Sequence, residues 1–382
     1  MKNKNVVLQI TPFFRPDIGG IQTHLDDLCE YLRTNGWYTY VYTYQPLKLK
    51  KRASKLEKRK NLEVHRIAWI SGNWANIFEN NPLIRFLYLT ISLLIYCFWF
   101  MFFNHKKIKI IHAHGINAGF IAVVLKIFFN KRIILSTHSV YNRNIGSSKK
   151  FVKKFINPIL LNHFDKILTI CDESTEELVK QGVKRKKIQR YTHWVNQDIF
   201  KPYNRERVRE ELNLNYRKIV LFVGRLISAK GVKLLIEVAK ELKEIDFLFI
   251  GDGPLSNWME KEDSKMRNIH YLGKVDNYDL PRYYSAADLL CVPSLCEEGY
   301  ARVIAEAISS GTPAIGSNRA GISEAIDKKV GILFESSVKG IKYAILNILD
   351  NQEKYSKNCF EHSRKKYSNA NAETIVNTYL GQ

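Results

Sequence analysis

At 382 residues the chain is long enough for two domains of ordinary size, and its net charge of +22 is high for a protein of normal apolar and aromatic content. The charge is uneven: residues 1–200 carry 32 Lys and Arg against 13 Asp and Glu, and the remainder 27 against 24. An N-terminal surface of this kind favours nucleic acid, acidic lipid headgroups or a phosphorylated acceptor. Nucleic acid fits least, because the basic residues lack the interleaved aromatics of a recognition module. Cysteines 29, 97, 171, 291, 296 and 359 are scattered without CxxC spacing, which reads as free thiols in a reducing compartment. The opening Met1-Lys2-Asn3-Lys4 runs straight into a strand, and no cleavable signal is read there.

Strands and helices alternate along the chain, which predicts parallel sheets with crossover helices. VVLQI (6–10) is a first strand; a loop ends at Gly19-Gly20, and a helix follows from about Ile21 to Asn35, stopped by Gly36. YTYVYTY (38–44) is a second strand and residues 46–60 a lysine-rich loop. LEVHRIA (62–68), IKIIHAH (108–114), KRIILSTH (131–138), KILTIC (166–171) and KIQRYTH (187–193) continue the series. Polar, charged residues around 196–217 read as a link. A second series then runs through KIVLFVG (218–224), DFLFIGDG (246–253), IHYLG (269–273), DLLCVPS (288–294), PAIGS (313–317) and GILF (331–334). The expected fold class is α/β: two Rossmann-like doubly wound domains facing across a cleft, with ligands at the carboxyl ends of strands. The expected division is residues 1–196, a linker at 197–217, a second domain at 218–365, and a C-terminal helix at 366–382 returning to the first domain.

Phe86 to Phe103 is an uncharged apolar run, flanked by Arg85 and Lys106-Lys107. Its length suits a membrane span. A span would place strands of one parallel sheet on opposite sides of a bilayer, which excludes it. A buried crossover helix and a helix dipping into one leaflet remain, the second aided by basic residues at 48–60 and 149–154.

The most informative stretch is EEGYARVIAEAISSGTPAIGS (297–317). Glu298 precedes a glycine on a turn, and Glu306 lies on the helix that follows, ended by Gly311. A helix mouth binds phosphate, and carboxylates accept paired sugar hydroxyls. Two helix-start glutamates favoured by the helix dipole are the plainer alternative. In GRLISAKG (224–231), Arg225 and Lys230 either face a cleft, where two cations neutralise a diphosphate without a metal, or are surface charge. Gly19-Gly20 allows close approach of a phosphate or is simply a turn. Gly251 and Gly253 form a strand-end turn in GDGP. His112, His114 and His138 stand at strand ends, and no carboxylate or cysteine motif completes a metal set.

These motifs resemble the signature of retaining glycosyltransferases of family four, also called glycosyl transferases group 1, which have the GT-B fold. Glu298, Gly299, Tyr300, Glu306, Gly311 and Pro313 match the core motif, and Ala301 stands where glycine is usual. Gly224-Arg225 with Lys230-Gly231 matches a second motif and Gly251, Gly253 and Pro254 a third. The resemblance is strongest from 218 to 326. HWVNQD (193–198) departs from the usual Pro-Asn-Gly-Val-Asp. The resemblance implies that Glu298 holds sugar hydroxyls and Glu306 a ribose, and that Arg225 and Lys230 bind the leaving diphosphate. By the same token, residues 299–301 and the glycines at 19, 20, 251 and 253 lie along the donor. His138 then touches the donor sugar near the reacting carbon, and His112 and His114 belong to the acceptor side.

The implied activity is retaining, metal-independent transfer from a nucleotide-diphosphate sugar to a hydroxyl acceptor, with no cofactor. The acceptor is expected to be a lipid-linked glycan or another cell-surface polysaccharide precursor. A peripheral place on an acidic membrane surface, at the inner face of the cell membrane, goes with it. A GT-B epimerase or phosphorylase, or a basic nucleic-acid-binding protein, are the alternative readings.

Overall fold

The structure is a computed structural model describing residues 5–17, 19–46, 52–68, 82–138, 157–214 and 218–382. The chain forms two compact units, Met1–Tyr191 with Ala372–Gln382, and Thr192–Asn371.

The first unit holds an eight-stranded sheet in the order β3-β4-β2-β1-β5-β6-β7-β8. Its strands are β1 (Val6–Ile10), β2 (Tyr38–Tyr44), β3 (Leu56–Arg59), β4 (Leu62–Ile67), β5 (Ile110–His114), β6 (Arg132–Ser136), β7 (Lys166–Thr169) and β8 (Ile188–Arg190). Every pairing is parallel except that of β3 with β4. Parallel strands covered on both faces carry unbroken apolar runs, and Val7, Leu8, Ile10, Ile111, Ile133 and Ile167 are buried accordingly. β3 lies within the stretch read as a lysine-rich loop. Its sequence, LEKR, hides it, because a sheet edge open to water tolerates and benefits from charge.

The apolar run is two helices, Pro82–Tyr88 and Ile91–Asn104, rather than one. Between them Thr90 Oγ1 accepts from Asn117 Nδ2 at 2.9 Å. β1, before this segment, pairs directly with β5, after it, with Val7 opposite Ile110. No bilayer can therefore pass between the two strands. Leu93, Cys97 and Met101, spaced four apart, bury one face of helix Ile91–Asn104. The segment is not a wholly buried crossover, however, because Ile91, Ile95, Trp99, Phe102 and Phe103 are exposed.

The second unit is a six-stranded parallel sheet in the order β11-β10-β9-β12-β13-β14. Its strands are β9 (Ile219–Val223), β10 (Asp246–Ile250), β11 (Ile269–Gly273), β12 (Leu289–Val292), β13 (Ala314–Ser317) and β14 (Gly331–Phe334). Leu221, Leu248, Leu290, Ile304 and Ile308 fill one face, and Val220, Phe222, Leu235, Phe247 and Phe249 the other. Strand order runs outward from β9 through β10 to β11, then restarts with β12 on the other side of β9. That reversal is the switch point at which doubly wound sheets open a ligand crevice.

Residues 197–214, read above as a linker, are part of this unit. Phe200 and Val208 are buried in its core. Helix Arg205–Glu211 supplies two cations to the buried Asp288: Arg205 Nη1 lies 3.3 Å from Oδ1 and Arg209 Nη2 2.9 Å from Oδ2. The backbone N–H of Ile219 also donates to Oδ2 at 2.7 Å, tying the start of β9 to the same carboxylate. The final helix, Ala372–Leu380, belongs to the first unit and buries Ile375 and Tyr379 there. All six cysteines are free thiols, and only Cys296 is not buried.

Removing one partner from a buried charge cluster leaves the others uncompensated. Asp288→Ala should therefore destabilise the second unit by about 3 kcal/mol, read as a lowered denaturation midpoint; an unchanged midpoint would show that the cluster is solvated.

Candidate active site

In the second unit the expected donor residues gather on the loops that follow β9, β10 and β12. After β9 the chain turns through Arg225, makes a short 3-10 turn at Ser228–Lys230, and enters helix Val232–Glu241 by way of Gly231. Gly231 has φ +73°, and a Cβ there would lie 1.9 Å from Pro293 O. Only glycine allows the β9 loop to close on the β12 loop. Leu295 N then donates to Ala229 O at 2.8 Å, joining the two loops. Gly251 repeats the device on the other side: a Cβ would meet Gly224 O at 1.8 Å.

This contact brings the β9 cation to the β12 carboxylate. Lys230 Nζ lies 2.7 Å from Glu298 Oε2, and Ser294 Oγ donates to Glu298 Oε1. The Glu298 side chain is mostly covered, whereas Lys230 keeps an open side. Arg225 is exposed and, among the described residues, makes no ion pair. The arrangement is a held carboxylate beside one engaged and one available cation.

Glu306 sits differently. It is buried on helix Arg302–Ser309, with Oε1 2.9 Å from Arg302 Nε and Oε2 2.9 Å from Tyr284 Oη. Arg302 also donates to Trp194 O at 3.2 Å. Each carboxylate oxygen accepts one of these bonds, and a carboxylate oxygen carries a second lone pair. Burial and the neighbouring Glu306 carboxylate push the Tyr284 phenol well above its ordinary value, so it stays a donor. Sequence reasoning missed Ser294, Tyr284 and Arg302; only Arg302, one helical turn before Glu306, left a signal. Gly299 lies close under helix Ala320–Ala325, since a Cβ on Gly321 would meet Gly299 O at 2.1 Å. Tyr300 packs against His193 at 5.0 Å between ring centres. Ala301, where the resemblance leads one to expect glycine, has φ −84° and is buried in the core. The position does not require glycine, and its methyl group is packed.

In the first unit Gly20 opens helix Gly20–Thr34, and Gly19 before it is extended. His112 and His114 lie on β5 and His138 just after β6. His112 and His114, expected on the acceptor side, are closed off from solvent. All four of their ring nitrogens have partners inside the unit: Tyr379 and Ser136 for His112, Gln9 and His138 for His114. Burial lowers His112 to about 3 and His138 to about 4, and His114 lies well below 6.5 for the same reason, so all three are neutral near pH 7.

Two doubly wound α/β units, the second with a carboxylate and cations at its strand-switch point, have the architecture of a GT-B glycosyltransferase. The family model for glycosyl transferases group 1 matches residues 204–366, and that for glycosyltransferase family 4 matches residues 18–198. A Klebsiella pneumoniae protein, described as an uncharacterized 41.2 kDa protein in the cps region, is 30% identical over 291 residues, covering 72% of this chain and 79% of its own. Sucrose-phosphate synthase from Thermosynechococcus elongatus superposes with a TM-score of 0.80 at 20% identity, covering 99% of both chains. Anabaena HepE, solved in complex with UDP, gives 0.75 at 15% identity, covering 99% of this chain and 100% of its own. The chain belongs to the group 1 glycosyltransferases and is a glycosyltransferase.

The neutral histidines carry a stability consequence. The unfolded chain binds protons below about 6.5, whereas the folded unit holds His112 and His114 neutral. Stability is therefore present above that pH and is lost as pH falls towards their folded values, by up to about 1.4 kcal/mol per pH unit for each. The thermal midpoint of the first unit should drop on going from about pH 7 to about pH 5, and His112→Gln should flatten the drop. Equal slopes in the two proteins would refute the assignment.

Proposed function

We propose that this glycosyltransferase uses a nucleotide-diphosphate sugar and transfers the sugar with retention of configuration, without a metal ion. The observation that carries this is the Lys230–Glu298 pair at the strand-switch point, with Arg225, which makes no ion pair among the described residues, exposed on the same loop. The donor's diphosphate draws Lys230 and Arg225, and a sugar hydroxyl donates to Glu298 in place of the lysine. A ribose hydroxyl donates to a remaining lone pair of Glu306. The bond from the anomeric carbon to the phosphate oxygen then breaks. The acceptor oxygen bonds that carbon from the side the phosphate leaves, and the acceptor's proton passes to the departing phosphate. Charge grows on the diphosphate as the bond breaks, and the two cations beside it stabilise the transition state more than the ground state. In the first unit His138 contacts a sugar hydroxyl. The UDP held by HepE, a protein of the same fold, supports a nucleotide donor.

The test is a transfer assay on the purified protein in EDTA. Wild-type protein should remain active there, and Glu298→Gln should lose at least about a hundredfold in kcat with its fold intact. Strict dependence on a divalent ion would remove the metal-free reading, and full activity of the variant would remove Glu298 from the site.

We also propose that the enzyme works peripherally on the inner face of the cell membrane, on a lipid-linked glycan acceptor. The exposed face of helix Ile91–Asn104 presents Ile95, Trp99, Phe102 and Phe103, and Phe128 of the adjoining helix Gly115–Phe129 extends it. A polar solvent-facing side is the rule for a helix packed on a sheet. From residue 80 to 164 the chain has no Asp or Glu and 12 Lys and Arg. Exposed apolar rings on a stretch of chain rich in cations suit an interface of anionic lipid, with the helix lying flat. The protein should sediment with vesicles containing phosphatidylglycerol and much less with phosphatidylcholine alone. Trp99→Glu with Phe103→Glu should abolish this binding; retained binding would show that another surface is used.

A further inference from the structure

A continuous line of polar groups crosses the interior of the first unit. Ser136 Oγ lies 2.7 Å from His112 Nε2, and His112 Nδ1 lies 2.6 Å from Tyr379 Oη. Gln9 Nε2 donates to the same phenol oxygen at 3.0 Å. On its other side Gln9 Oε1 lies 2.8 Å from His114 Nε2, and His114 Nδ1 lies 3.1 Å from His138 Nε2. The groups come from β1, β5, β6, the residue two beyond β6, and the last helix of the chain.

With Gln9 Oε1 turned towards His114 and Nε2 towards Tyr379, proton counting gives this line one direction. The Gln9 amide oxygen has no hydrogen, so His114 Nε2 must donate to it. A neutral imidazole carries a single N–H, which makes His114 Nδ1 an acceptor and His138 Nε2 a donor. His138 Nδ1 is then left with a bare lone pair. Among the described residues that nitrogen is shielded from water and has no hydrogen-bond partner. A buried acceptor of this kind costs free energy unless something donates to it. On the opposite side, the phenol oxygen accepts from Gln9 and gives its only proton to His112 Nδ1, whose Nε2–H goes to Ser136. Turning the Gln9 amide over would reverse every bond in the line and make His138 Nδ1 a donor. Gln9 therefore decides which kind of partner His138 can take.

We propose that Gln9, bonded on its other side to the Tyr379 hydroxyl, is a positioning residue that fixes His138 as its Nε2–H tautomer, so that Nδ1 accepts a hydrogen bond from a sugar hydroxyl. The substrate group it selects is a donor, a free hydroxyl, and not an acceptor such as a carbonyl, ether or phosphate oxygen. The inference rests on the reading of His138 as a sugar contact. It also gives the last helix a part in the chemistry, since Tyr379 reaches the line from the far end of the chain.

The experiment is ¹⁵N NMR of the full-length protein labelled at histidine, with the His138 signals identified by their absence in His138→Ala. The expected result is an unprotonated Nδ1 and a protonated Nε2 on His138 near pH 7; a protonated Nδ1 overturns the proposal. Tyr379→Phe frees the Gln9 amide to turn. It should give His138 both tautomers and lower kcat about tenfold with the donor KM within about twofold. Unchanged His138 signals in Tyr379→Phe would also overturn it, whatever the activity. Wild-type transfer by His138→Ala would instead remove the sugar-contact reading, and the tautomer measurement would separate that failure from this one.

Discussion

The loops that follow β9, β10 and β12 can meet only because certain backbone positions carry no side chain. A Cβ at Gly231 would overlap Pro293 O, and one at Gly251 would overlap Gly224 O, both at under 2 Å. An added methyl would have to displace backbone, which no rotamer change relieves. The closed contact sets the separation of the two strands' ligand-facing residues, and with it the Lys230–Glu298 distance. Packing at glycine thus comes before electrostatics at this site.

The ion pair that results is partly exposed on the lysine side and covered on the glutamate side. Such a pair contributes little to stability when one partner is screened by water. Its value lies in position. Ser294 and Lys230 hold Glu298 in one rotamer, so the carboxylate is oriented before any partner arrives. Glu306 is held more deeply, by a guanidinium and a phenol, and its helix is fixed by that pairing. The two glutamates of one motif therefore stand in different dielectric settings, one able to exchange its partner and the other committed to it.

Much of this was legible in the chain. Apolar runs punctuated by glycine marked nearly every strand of both sheets, because parallel strands must be apolar on both faces. The motif residues marked Arg225, Lys230 and Glu298, since glycine spacing reports backbone contact directly. β3 was not legible, because an edge strand in water has no reason to alternate. Nor was the role of helix Arg205–Glu211: its charges look like solvent-facing linker charges until Asp288, about eighty positions on, is brought beneath them. The partners of His112 and His114 were hidden for the same reason. Tyr379 lies 267 positions from His112, and no local pattern announces a pairing at that range. Sequence spacing reported local geometry faithfully and was silent about which distant polar group satisfies a buried one.

The distribution of charge divides the work of the two units. Residues 201–382 hold 27 cations against 24 anions, so no broad positive field draws a phosphate to the second unit. Any preference for a diphosphate there must come from the two cations placed at the strand switch, which makes recognition depend on position rather than on net charge. The first unit has the opposite character. Its long stretch without carboxylates creates an undirected positive field, and its exposed rings give that field a surface on which to act. A field without geometry cannot choose one hydroxyl from another. Groups shielded from that field are a different matter: the neutral histidines, bonded within the unit, keep fixed donors and acceptors whatever the net charge around them.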